Sequence, residues 1–164
     1  MGTLYTCNYQ FNILPGWNRN LGNPPRGGRL AALGSGPLWS PAPSGGATQP
    51  TLMGNSGGVA GDQIQAVVTF NAGAPSNPVA VFTFTPAQDA ATNQIGASPF
   101  LSGGTFVCSQ SFTGVQQKNS TTTYVFGPTA PYNGGLQGAY ELTIVITDST
   151  GTQWSIDPEF DTGN

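Results

Sequence analysis

Hydrophobic and polar residues alternate with period two over much of this chain, most clearly in residues 139–161, AYELTIVITDSTGTQWSIDPEFD. There Tyr140, Leu142, Ile144 and Ile146 alternate with Glu141, Thr143, Val145 and Thr147; Trp154 and Ile156 alternate with Gln153, Ser155 and Asp157. Such alternation marks strands with one face buried. Asp148-Ser149-Thr150-Gly151 between them suits a type I turn, with Asp first and Gly where φ turns positive. Pro158, lacking an N–H, is expected to end the ladder.

The same period recurs upstream. Residues 4–14 place Tyr5, Cys7, Tyr9, Phe11 and Ile13 on one face. Residues 63–71 turn Ile64, Ala66, Val68 and Phe70 inward, and 79–85, VAVFTFT, is apolar on both faces, as a central strand would be. Residues 105–112 carry Phe106, Cys108 and Phe112 in phase, and 121–126 carry Tyr124 and Phe126. Residues 87–93 allow one helical turn within a loop. Seven or eight strands separated by turns predict an all-β fold, an antiparallel β-sandwich of Ig-like or jelly-roll style in a single domain, 1–164. Residues 17–60 show no sustained period. They form an irregular loop or arm, with short strands near 30–33 and 38–39, or else a segment reaching a neighbour. Trp17, Leu38, Trp39 and Met53 are its candidate anchors.

Composition strengthens the β reading. The 164 residues include 24 Gly and 14 Pro, so turns are abundant. Charged residues make up only 7%, where about 25% is usual. The net charge of −3 gives no basic footprint for nucleic acid, and Arg19, Arg26 and Arg29 are too few for a phosphate track. A surface with so little charge has little repulsion to keep copies apart, which favours a homo-oligomer or larger self-assembly. No apolar run reaches membrane-spanning length and no leader pattern follows Met1, so a cytoplasmic protein is expected. Asn119-Ser120-Thr121 matches a glycosylation acceptor, a triplet common by chance.

The chemistry is bounded by absence. The chain has no histidine. That removes Ser-His-Asp and Cys-His nucleophiles and imidazole metal ligands, a blue-copper site among them. Cys7 and Cys108 cannot alone close a zinc site; they read as buried thiols or as a disulfide pair. Lys118 lies in a polar loop with no pocket to lower its pKa. Glu141 and Asp157 lie on paired strands, yet Glu141 belongs to the polar face. Asp157, Glu159 and Asp161 read as an exposed acidic tail rather than a calcium loop. No catalytic residue, metal or cofactor is therefore assigned. Exposed aromatics on a β-sandwich can stack on sugars; Trp17, Trp39, Tyr132 and Trp154 are considered, and Trp39 and Tyr132 are the candidate ligand-binding pair.

Two stretches carry a family likeness. Gly61-Asp62-Gln63-Ile64 opens a strand that is followed by VAVFTFTP, and the chain closes with YELTIVITDSTGTQWSIDPEF. This order, over the second half of the chain, resembles the AidA/PixA inclusion-body protein family of bacteria. The resemblance implies a cytoplasmic β-sandwich without known catalysis that accumulates or assembles, and it transfers no functional residues. The expectation is a non-enzymatic, self-associating structural protein; the alternative is a carbohydrate-binding module using its loop aromatics.

Overall fold

The computed structural model describes residues 1–12, 29–31, 39–47, 49–54, 56–70, 74–86, 101–102, 105–106, 109–132, 138–156 and 159–163. In chain order the strands are β1 Leu4–Asn12, β2 Arg29–Ala31, β3 Trp39–Ser40, β4 Thr51–Met53, β5 Gln63–Phe70, β6 Val79–Pro86 and β7 Leu101–Ser102. They continue as β8 Thr105–Phe106, β9 Ser109–Thr113, β10 Val115–Gln116, β11 Thr123–Phe126, β12 Gly138–Thr147, β13 Gln153–Ile156 and β14 Glu159–Gly163. Eight of these described strands have four residues or more. One six-stranded sheet runs β10-β11-β5-β1-β2, with β3 also on β1; the other runs β4-β14-β12-β6-β9, with β13 also on β12. The fold is an all-β sandwich.

Alternation builds its core. On β5, Ile64, Ala66, Val68 and Phe70 are buried and the residues between them are half-buried. Cys7, Tyr9 and Phe11 on β1 and Leu142, Ile144 and Ile146 on β12 repeat the pattern. The sheets meet through aromatic rings: Phe70 of β5 stacks on Phe11 at 5.6 Å and meets Trp154 of the opposite sheet edge-on at 5.1 Å. Offset and edge-on rings add about 0.5–1.5 kcal/mol per pair beyond area burial. β6 lies between β12 and β9, as its two apolar faces predict.

The terminal hairpin has the expected turn. Gly151 has φ 81° and donates its N–H to Asp148 O at 3.0 Å. Asp148 Oδ1 accepts the backbone N–H groups of Thr150 at 2.9 Å and Thr152 at 3.1 Å.

Pro158 does not end the ladder. β13 pairs with β12 through Ile144↔Ile156, and β14 resumes in the same register through Glu141↔Glu159. Pro158 itself lies outside the described residues. β14 is also paired on its other side, with β4. Glu159 and Asp161 thus belong to a strand inside the sheet, not to an acidic tail. The predicted strand over 105–112 is divided: β8 pairs with β7, while β9 pairs with β6.

Two pairings are parallel, β1 with β5 and β4 with β14. Alternation cannot show this, because it reports the buried face and not the direction of the neighbour. A parallel neighbour requires a crossover, and residues 13–62 supply the one between β1 and β5. Its described parts lie on the sandwich: β2 and β3 extend the sheet beside β1, β4 joins β14, and Trp39 and Leu52 are buried. Met53 is exposed. Trp17, Arg19, Arg26, Leu38 and the helical turn expected at 87–93 lie outside the described residues. Among the described residues no helix is long and apolar enough to cross a membrane.

Candidate functional site

The most constrained polar group among the described residues is Asp62, which is 5% exposed at the mouth of β5. Its carboxylate accepts two backbone N–H groups, Thr3 on Oδ1 at 2.6 Å and Met53 on Oδ2 at 2.8 Å. Its own N–H donates to Met53 O at 2.9 Å, and its carbonyl accepts the Tyr132 N–H at 2.8 Å. The start of β1, the end of β4 and residue 132 are thereby joined at one point, and β4 belongs to the opposite sheet. Charge-assisted bonds of this kind are roughly twice as strong as neutral ones.

Gly61 makes the convergence possible. A Cβ there would overlap the Tyr132 carbonyl, and one on Gly2 would overlap the Gly61 carbonyl. Backbones approach this closely only where the side chain is a hydrogen. The neighbouring contacts extend the knot. Ile64 donates its N–H to Thr129 Oγ1 at 3.0 Å, Thr129 donates its N–H to Ile64 O at 2.8 Å, and Gln63 Nε2 donates to Thr129 O at 2.6 Å. Tyr5 has its phenol pKa raised, first by burial and then by the Asp62 charge, so it stays protonated across the neutral range. With both carboxylate oxygens engaged by amides, Asp62 acts as a structural tie rather than as a base or metal ligand.

The aromatic pair chosen for sugar stacking is overturned. Trp39 is 1% exposed and Tyr132 is 0% exposed, and both belong to the core cluster. A stacking platform needs an open ring face, and neither ring has one. Tyr132 misleads because it sits in the turn-rich run GPTAPYNGG, while its N–H ties it to Asp62. Trp154, read as core, is core.

The structure sets two of the remaining candidates side by side. Glu141 stands opposite Glu159 in the β12–β14 ladder; Asp157 lies outside the described residues. Among the described residues no group of three or more His, Cys, Asp or Glu could hold a metal. Cys7 is a free, fully buried thiol that donates to Gln65 O at 3.4 Å, and burial pushes its pKa far up. Cys108 lies outside the described residues. Lys118 is exposed in the turn after β10.

The remaining polar feature is an edge. Gly114 donates its N–H to Pro78 O at 2.8 Å, extending the β6–β9 ladder. Antiparallel bonding alternates, so Phe112 and Gln110 also bond β6. The N–H and C=O groups of Ser109, Ser111 and Thr113 therefore point to the side of β9 that is open among the described residues. The side chains of these three residues are exposed, while Phe112 packs edge-on against Phe82 at 4.8 Å. Compared with protein-family models, with curated proteins and with solved structures, the chain matches none.

Proposed function

We propose that this chain is a non-catalytic β-sandwich that self-associates, a structural protein of the assembly or inclusion-body type acting in the cytoplasm. The observation that carries this reading is the β9 edge: five residues, none charged, with outward backbone groups. Soluble β-proteins usually blunt such an edge with lysine, proline or a covering segment. The other edges among the described residues are shorter: β10 and β3 have two residues each, β2 has three, and β13, paired only with β12, has four. β4 also has three, and both backbone groups of its Met53 are taken by Asp62. A chain with 7% charged residues and no histidine supports the same reading, as does the resemblance of its second half to the AidA/PixA inclusion-body proteins.

Light scattering coupled to size exclusion, run from low micromolar to about 1 mM protein, tests the reading. Mass rising with concentration is expected. A strict monomer throughout refutes it.

A further inference from the structure

We propose that two copies of this chain join through β9, antiparallel about a twofold axis at Ser111, so that the two sandwiches share one continuous sheet. This rests on the self-association reading and gives it a site and a register.

The open side of β9 presents three N–H and three C=O groups spaced every second residue, at Ser109, Ser111 and Thr113. A row of that spacing is complementary to another strand. A twofold pairing about Ser111 sets Ser111 opposite Ser111 of the second copy and Ser109 opposite Thr113. All three backbone sets then meet as hydrogen-bonded pairs, and every exposed side chain on that face meets another hydroxyl. Cross-strand Ser/Thr pairs are favourable, whereas like charges directly opposite are not. This symmetry matters because any charged residue at the axis would face its own copy, and β9 has none.

Val115, one residue past Gly114, opens β10 of the other sheet and is 66% exposed. A five-residue ladder is small beside the roughly 1,200 Å² of a standard interface, so the pairing is reversible and depends on concentration.

Three variants and one variant-free measurement test the proposal. Ser111→Lys places like charges across the axis. Ser111→Pro deletes an outward N–H without touching the β6 ladder. Thr150→Lys adds the same charge at an exposed turn. Association is expected to weaken at least tenfold in both Ser111 variants and to stay unchanged in Thr150→Lys, with circular dichroism showing all three folded. Hydrogen exchange on the wild type supplies the second readout: amides of Ser109, Ser111 and Thr113 are expected to gain protection as protein concentration rises. Association unaffected by folded Ser111 variants, or exchange at these amides independent of concentration while mass rises, overturns the β9 site and leaves self-association standing. A wild type that never associates overturns both.

Discussion

Replacing Asp62 by Asn tests the tie between the sheets. The side chain keeps its shape, but a carboxylate that accepts on both oxygens becomes an amide with one acceptor and one donor. In either orientation, the N–H of Thr3 or of Met53 then faces an NH₂ group. One charge-assisted bond, worth about 1.5–3 kcal/mol, is lost, and the amide left facing a donor in a buried site adds to the cost. Some of this is recovered because a neutral amide is easier to desolvate than a carboxylate. The net expectation is a loss of ~2–3 kcal/mol for Asp62→Asn and ~3–4 kcal/mol for Asp62→Ala, which orphans both amides. For a chain of this size each kcal/mol lowers Tm by roughly 2–4 °C, so Asp62→Asn should melt roughly 4–12 °C below wild type. The assay is urea and thermal unfolding followed by the fluorescence of the buried residues Trp39 and Trp154. An Asn variant within about 0.5 kcal/mol of wild type, the size of an ordinary surface substitution, refutes the argument.

Gly61→Ala drives a Cβ into the Tyr132 carbonyl and should cost more than ~3 kcal/mol or abolish folding, while Gly58→Ala, at φ 81° with open space around it, should cost only ~1–2 kcal/mol; urea midpoints decide. Cys7 has its pKa raised by burial, so the folded state holds the proton after the unfolded state has released it. The stability this gives is full below the unfolded pKa near ~8.5 and falls by about 1.4 kcal/mol per pH unit above it, a slope that Cys7→Ala should lack in urea titrations from pH 8 to 11. The same burial should leave the Cys7 peptide unalkylated in native protein and alkylated in urea, read by mass spectrometry. Trp39→Ala should destabilise by about 3–5 kcal/mol as a core truncation, and glycan arrays should show no stacking-dependent binding for wild type to lose.

The strands were legible because most report their own buried face: β5 and β12, and β1 from Cys7 to Phe11, bury the residues their alternation selects. The hairpin turn was legible because Asp148 and Gly151 act within five residues. Direction and partnership were not, since β1 reads the same whether β5 runs beside it parallel or antiparallel. Gly61-Asp62 stood out as a motif, but its meaning depends on Thr3, Met53 and Tyr132, and no local pattern connects residues separated by up to seventy positions. Trp39 and Tyr132 were misjudged for a related reason. A residue among glycines and prolines carries no period, so its neighbours in sequence are silent about its burial. The β9 edge needed the ladder itself, because Ser109, Ser111 and Thr113 acquire an open side only once β6 is known to occupy the other.

The parallel pairing of β1 with β5 also fixes an order of events during synthesis. β1 leaves the ribosome long before β5, yet β5 is its longest neighbour, and the tie at Asp62 closes only when Tyr132 has emerged. Until then Cys7, Tyr9 and Phe11 have no finished core to enter. Pairings this distant in sequence are slow to form, so the nascent chain passes through a long interval with apolar strands uncovered, and nascent chains cut short before residue 132 are expected to depend on chaperones where the full-length chain does not.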